Sequence, residues 1–121
     1  MRVAHSVENC VQPLTLIDIG GIPDKKNEVI CAAATHAVLV AGEIERLSEW
    51  RKFCGRLKLE IIAEIHSDYT GMEDKGMVYG DDGIYRASVH RLERGDLSIR
   101  FRPALVGLAN IIVRMVDTEE T

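Results

Sequence analysis

The segment that most constrains the fold of this chain is the run from Leu14 to Gly21. In this run, apolar and β-prone residues lead to one carboxylate, Asp18, and then to the glycine pair Gly20 and Gly21. Such a run is typical of a buried parallel strand, and the carboxyl end of a parallel strand is where an open α/β sheet binds its ligands. The segment therefore predicts a strand that delivers Asp18 to a ligand-binding edge.

Strand-like and helix-like segments alternate through the first half of the chain. A helix predicted to open at Pro23 precedes an apolar run at 37–41, which is interpreted as a central strand covered on both faces. An amphipathic pattern at 43–54 then predicts a second helix. The alternation indicates right-handed crossovers around one sheet. We therefore predict an α/β fold, Rossmann-like or like half of a P-loop domain, with a mostly parallel twisted sheet and helices on both faces.

The next predicted strand, at 57–65, alternates between apolar and polar residues except at Ile62. Glu64 and then His66 fall on its polar side. A strand with one polar side is half exposed, so we place it toward a sheet edge or beneath an incomplete helical layer.

The second half of the chain begins with a glycine-bearing connection, Thr70 to Gly83, that is long for a domain of this size. We expect this connection to be mobile and to act as a lid. Alternation at 85–90 and 97–102, around a turn at 93–96, predicts a C-terminal antiparallel hairpin. Pro103 then begins a closing helix to about Val116, which is apolar nearly all round and therefore predicted to be deeply buried or paired with another subunit.

Length and charge limit the possible classes of protein. A chain of 121 residues fits a single α/β domain spanning 1–121. With 46% hydrophobic and 28% charged residues, the composition argues against disorder. The formal net charge of −4 provides no global attraction to nucleic acid, so we expect no general DNA binding. Any anion binding must come from a local basic patch.

The cysteines and the chain termini bear on the compartment. Cys10, Cys31 and Cys54 form no Cys-x-x-Cys pair, and we interpret them as buried core residues in a reducing cytosol. The N-terminus lacks a secretory signal pattern, and the apolar segment 103–116 is too short to span a bilayer. We expect a cytoplasmic protein with no membrane association.

The first candidate site is Asp18 with its two glycines. Gly20 and Gly21 allow a phosphate or a metal ion to approach the backbone closely. A strand that ends in Asp-Ile-Gly-Gly is similar to the acidic strand of phosphate-loop NTPases, in which the Asp holds Mg²⁺ or orients water. No Gly-x-x-x-x-Gly-Lys-Ser/Thr element is present in the chain, however. The alternative interpretation is a strand end at which Asp18 caps the following helix.

The second candidate site is His66-Ser67-Asp68. His66 and Asp68 are two residues apart, so both project from the same face of a strand. In a parallel sheet this strand end would lie beside Asp18, and the three side chains could bind Mg²⁺ or Mn²⁺ or exchange protons with a substrate. The alternative is a polar strand end that forms a turn.

The third candidate site is a group of basic residues around the predicted hairpin. Guanidinium groups bind phosphate bidentately, so the group predicts a nucleotide, oligonucleotide or phosphorylated metabolite as ligand. The alternative is a charged edge that prevents aggregation. The group consists of Arg86, His90, Arg91, Arg94, Arg100 and Arg102.

Five strings carry a resemblance to a known family: Leu-Ile-Asp-Ile-Gly-Gly, Thr-His-Ala-Val-Leu-Val, Glu-Trp-Arg-Lys-Phe-Cys, Ile-Ala-Glu-Ile-His-Ser-Asp and Val-His-Arg-Leu-Glu-Arg-Gly. From Leu14 onward, the chain resembles the latter half of NTPase-like domains associated with a CRISPR ring-nuclease family. The resemblance implies cytoplasmic antiviral defence, handling of a nucleotide or cyclic oligoadenylate, a divalent metal and oligomerisation. Asp18 would match the acidic strand, and Arg91 and Arg94 the basic segment. Without a phosphate loop, autonomous ATP hydrolysis is not implied.

Three functional hypotheses follow. The first is a nucleotide- or phosphate-ligand-binding module in which Asp18 and Asp68 support a divalent metal. The second is a non-catalytic interaction subunit that forms a homo-oligomer, or binds a larger partner, through 103–116. The third is a metal-dependent phosphodiesterase with His66 and His90 as acid and base.

Overall fold

The computed structural model describes residues 24–68, 70–91 and 102–120, together with Leu14 and Ile17. The described residues form three helices and four strands. In chain order these are α1 Lys25–Cys31, β1 His36–Ala41, α2 Ile44–Leu57, β2 Glu60–Asp68, β3 Lys75–Tyr79, β4 Tyr85–His90 and α3 Pro103–Glu120.

The strands of the described residues form one mixed sheet in the order β1-β2-β4-β3. β1 and β4 each run parallel to β2, and β3 runs antiparallel to β4. The predicted α/β class and the mostly parallel sheet are therefore confirmed. Asp24 begins α1 as an N-cap, because its side chain accepts a hydrogen bond from the Asn27 amide at 2.9 Å.

The positions of β1 and β2 differ from the prediction. β2 lies in the interior of the sheet, between β1 and β4, so its predicted place at an edge is wrong. The polar residue that suggested exposure, Glu64, is only 3% exposed because arginine side chains cover it. β1 was predicted to be central, but it ends the described sheet and leaves Val40 58% exposed.

The predicted lid and hairpin also need correction. The connection from Thr70 to Gly83 contains β3, and its turn is closed by the Gly80 amide, which donates to the Ile84 carbonyl at 2.9 Å. Both sides of β4 are occupied, by β2 and by β3, so the predicted pairing of 85–90 with 97–102 is wrong. The turn at 93–96 and the strand at 97–101 lie outside the described residues.

Two hydrophobic clusters stabilise the described fold. The first packs Leu47, Phe53 and Cys54 of α2 against Leu39 of β1. The ring of Trp50 meets Phe53 edge-on, with centroids 5.2 Å apart. Cys31 also belongs to this cluster, so core packing is confirmed for Cys31 and Cys54, and burial raises the pKa of both thiols. Cys10 lies outside the described residues.

The second cluster joins α3 to the sheet. Ala104 of α3 is fully buried against Ile65 and Val89. Gly107 permits a close approach, since a Cβ at this position would lie 2.7 Å from Met77 Cγ. The helix is longer than predicted, and it keeps some apolar surface exposed at Val106 and Val113. Among the described helices, none is both long enough and apolar enough to cross a membrane.

Candidate functional site

The carboxyl ends of three parallel strands lie at the same end of the sheet, which we call the carboxyl edge. β1, β2 and β4 run in the same direction, so this edge contains their last residues, Ala41, Asp68 and His90. The register places Asp68 directly opposite His90. The topology thus brings together His66, Asp68 and His90, which the sequence analysis had assigned to two separate candidate sites.

A row of polar side chains crosses β2, β4 and the antiparallel strand β3. His66 of β2 lies opposite Ser88 of β4, and Ser88 lies opposite Lys75 of β3. Paired residues of neighbouring strands project from the same face of a sheet. We call His66, Ser88 and Lys75 the polar row. The adjacent row towards the amino ends of β2 and β4 contains Glu64 opposite Arg86.

The polar row lines an open groove with a volume of about 540 Å³. Asp68 and Arg86 also contribute to its wall, and Glu73 adds a second carboxylate. Three residues predicted from the sequence as site residues, His66, Asp68 and Arg86, therefore lie in one groove. Its side chains are mixed in charge: an imidazole, a hydroxyl and an ammonium group follow one another along the row, and carboxylates and a guanidinium lie beside it.

Glu64, which lies opposite the groove residue Arg86, is a buried carboxylate with two arginine partners. Arg51 of α2 donates from Nε to Oε2 at 2.6 Å and from Nη2 to Oε1 at 2.7 Å. Arg86 donates from Nε to Oε1 at 3.1 Å. The Arg51 hydrogen bonds hold the pKa of Glu64 below its ordinary value, although burial acts in the opposite direction. Glu64 is therefore a fixed negative charge that orients Arg86.

Arg86 has a second carboxylate partner on the turn between β3 and β4. Its Nη1 and Nη2 donate to Asp82 Oδ1 and Oδ2 at 3.0 and 2.7 Å. These hydrogen bonds lower the pKa of Asp82 to about 2 and raise the pKa of Arg86. The guanidinium stays charged and is held against the groove by a carboxylate on each side.

The hydrogen bonding of His66 defines its neutral tautomer. Its Nε2 lies 3.2 Å from the carbonyl oxygen of Gly42, at the end of β1. Because a carbonyl can only accept, Nε2 carries the proton and Nδ1 of the neutral ring keeps a lone pair. Asp68, two residues on, accepts a hydrogen bond from the Thr70 hydroxyl at 3.3 Å.

His90 and Arg102 belong to a separate buried cluster around Asp74, a residue in the segment predicted to be a lid. The His90 ring donates from Nδ1, and its amide from N at 2.8 Å, to Asp74 Oδ1. Arg102 Nη1 donates to the same oxygen at 2.9 Å and to the His90 carbonyl at 2.6 Å. Burial alone would raise the pKa of Asp74, but these partners outweigh it and the net pKa is lowered. The cluster ties the start of α3 to the end of β4.

Several predicted site residues cannot be placed in the groove. Asp18, Gly20, Gly21, Arg94 and Arg100 lie outside the described residues. Arg91 is described and exposed; it has a positive φ of 45° and donates its amide to the Asp68 carbonyl. Within the described ranges, no group of three or more His, Cys, Asp or Glu side chains is placed to hold a metal ion.

The sequence analysis missed Lys75, Ser88 and the Arg51–Glu64 pair. Lys75 and its neighbours contain three glycines within ten residues, which suggested a loop rather than a strand. Ser88 falls on a polar position of the alternating segment 85–90, and a lone serine there carries no signal of a site. No local signal links Arg51 to Glu64, because they lie on different elements and meet only through the packing of α2 on the sheet.

Comparisons of the chain with protein-family models, with curated proteins and with solved structures found no match. Any functional conclusion must therefore come from the chemistry of the groove.

Proposed function

We propose that this protein binds a phosphate-bearing ligand, of the nucleotide or phosphorylated-metabolite class, in the groove beside the polar row. The observation that carries the proposal is the row itself, in which an imidazole, a hydroxyl and an ammonium group follow one another across adjacent strands. Each of these groups can donate a hydrogen bond to a phosphate oxygen when the imidazole is protonated. The row lies near the carboxyl ends of parallel strands, where α/β sheets bind ligands.

Lys75 is the cation best placed to receive an anion. It is exposed, and within the part of the chain that the structure describes no carboxylate forms an ion pair with it. Arg86 supplies a second positive charge to the same groove. A protonated His66 would donate from Nδ1, because Nε2 is already committed to Gly42. These three groups would neutralise much of the charge of a phosphate.

We also propose that the fold is a Rossmann-like or P-loop-like domain with helices on both faces of the sheet. In support, Leu39 packs in the cluster that contains α2, whereas the preceding residue, Val38, packs in the cluster that contains α3. Consecutive residues of a strand point to opposite faces. We propose further that the protein is cytoplasmic and that Asp68 and Asp18 together hold a Mg²⁺ or Mn²⁺ ion. We also propose that the chain is related to the NTPase-like domains associated with CRISPR ring nucleases.

Lys75→Gln tests the proposed ligand class. Pyrophosphate or ATP at one hundred times its Kd should stabilise the wild-type chain by about 2.7 kcal/mol, which raises the melting temperature by roughly 10 °C. The variant loses one charge-assisted hydrogen bond, so its affinity should fall about tenfold. Lys52→Gln, at an exposed lysine of α2, is the matched control and should keep the wild-type response.

Two results would contradict this prediction. The first is the absence of any ligand-induced shift with pyrophosphate, ATP or cyclic oligonucleotides, with and without Mg²⁺. The second is an equal shift in Lys75→Gln and in the wild type, which would place the ligand elsewhere.

The exposed face of α3 favours a second candidate function, a homo-oligomeric interaction subunit. Val106 and Val113 are 43% and 57% exposed and lie seven residues apart, on one side of the helix. A second copy that packs along this side would cover both. Sedimentation tests this candidate, because a strict monomer at all accessible concentrations would remove it. The third hypothesis, a phosphodiesterase with His66 and His90 as acid and base, stays a prediction.

A further inference from the structure

The guanidinium group of Arg86 already forms hydrogen bonds with a carboxylate side chain of the protein. Nη1 and Nη2 meet the two carboxylate oxygens of Asp82 in parallel, while Nε meets Glu64. This paired arrangement is the one that a guanidinium forms with a carboxylate or a phosphate group. Asp82 thus occupies the position that an anionic ligand of Arg86 would take.

The two carboxylates that contact Arg86 are held very differently. Glu64 is 3% exposed and receives hydrogen bonds from Arg51 at 2.6 and 2.7 Å, so it cannot move without breaking both of them. Asp82 is 49% exposed and lies on the turn between β3 and β4. A half-exposed carboxylate can exchange its arginine for water at little cost. Asp82 is therefore the partner that a ligand would replace.

The turn between β3 and β4 has glycines and a backbone hydrogen bond that fit the position of the Arg86–Asp82 ion pair. A Cβ at Gly80 would lie 2.8 Å from both Arg86 Nη1 and Asp82 Oδ1, so a larger residue there would push the ends of these two side chains out of their present positions. Gly83 adopts a φ of 82°, which side-chain-bearing residues rarely adopt. The Asp82 carboxylate also accepts a hydrogen bond from the Ile84 amide at 3.2 Å. These features hold Asp82 in front of Arg86.

We propose that Asp82 is an internal competitor for Arg86 and that the ligand of the groove displaces it. The displacing group must present two oxygens on one atom to Nη1 and Nη2, as Asp82 does. A phosphoryl group has this geometry, whether it is a terminal phosphate or a phosphodiester. The inference depends on the proposed phosphate-binding function and adds to it the group that sets ligand affinity.

The test compares Asp82→Asn with Asp81→Asn by calorimetric titration of the full chain. The probes are inorganic pyrophosphate, for a terminal phosphate, and a dinucleotide without terminal phosphates, for a phosphodiester. Asp82→Asn removes the competing charge and should tighten binding of the matching probe about fivefold, the scale of an exposed ion pair. Asp81 is an exposed neighbour on the same turn, so Asp81→Asn should bind within about twofold of the wild type.

The outcomes separate this inference from the proposed function. Equal affinity in wild type and Asp82→Asn would overturn the competitor role while leaving phosphate binding intact. Weaker binding in Asp82→Asn would also overturn it, because Asp82 would then position Arg86 for the ligand. If neither probe binds the wild type or either variant, both proposals fail. If Asp82→Asn melts at a lower temperature than the wild type, Asp82→Ser repeats the comparison.

Discussion

Arg51→Met is expected to lower the free energy of unfolding by about 3 kcal/mol at neutral pH. The substitution removes two of the three hydrogen bonds that Glu64 receives from arginine and leaves a buried carboxylate with Arg86 alone. Breaking a buried ion pair from one side is costly because the remaining charge cannot reach water. Urea unfolding followed by circular dichroism measures this change.

Arg56→Met is the matched control on the same helix. Arg56 pairs with Glu28 in a more exposed setting and lies over the Phe53 ring. Its replacement should cost less than about 1 kcal/mol, since exposed ion pairs and cation–π contacts contribute little. Equal losses in the two variants would contradict a special role for the Glu64 cluster.

The effect of Arg51→Met should also depend on pH. The pKa of Glu64 is lowered from its ordinary value of 4.5, so its ion pair stabilises the fold above that pH. This contribution is lost as the pH falls through the lower pKa of the folded state. The difference in unfolding free energy between wild type and Arg51→Met should therefore shrink below pH 4.5. A difference that stays constant from pH 7 to pH 3 would rule out the buried carboxylate as its source.

The second large effect is expected for Asp74→Ala, which should lower the free energy of unfolding by about 4 kcal/mol. Asp74 is 7% exposed and accepts hydrogen bonds from His90 and from Arg102, whose own side chain is 13% exposed. Its removal takes away a buried carboxylate that accepts hydrogen bonds from both Arg102 and His90 and so joins the start of α3 to the end of β4. Thermal unfolding should show a fall of more than roughly 10 °C.

Glu73→Ala provides the control for Asp74→Ala. Glu73 is the preceding residue and is exposed, so its replacement should change stability by less than about 0.5 kcal/mol. A small loss for Asp74→Ala, similar to that for Glu73→Ala, would show that the segment before β3 is loosely attached, as the lid interpretation had predicted.

The order of the elements from α1 to β2 was predictable, because it depends on local periodicity. Alternation also located β4, and the spacing of His66 and Asp68 placed both on one face at the carboxyl end of β2. The order of strands was not predictable. Glu64 looked like a surface residue because its two arginine partners come from distant parts of the chain.

The region around β3 shows a different limit of prediction from sequence. Glycines at 76, 80 and 83 suggested a loop. The Gly80 amide instead closes the turn of a hairpin, and the absence of a side chain at Gly80 leaves space for the Arg86–Asp82 pair. Lys75 was therefore assigned to a lid rather than to the polar row. The pattern at 97–102 resembled a hairpin strand, but β4 already has a partner on each side. Local alternation identifies a strand without identifying its neighbours.

The most direct test of the central claim is a ¹H–¹⁵N NMR titration of the chain with pyrophosphate, in which amide shifts locate the bound anion. We expect the largest shifts at His66, Lys75 and Ser88 and at the neighbouring Arg86, while α1 and the outer side of α2 stay unchanged. Shifts confined to residues away from the groove, or none at millimolar pyrophosphate, would contradict the assignment of this edge of the sheet as a phosphate-binding site.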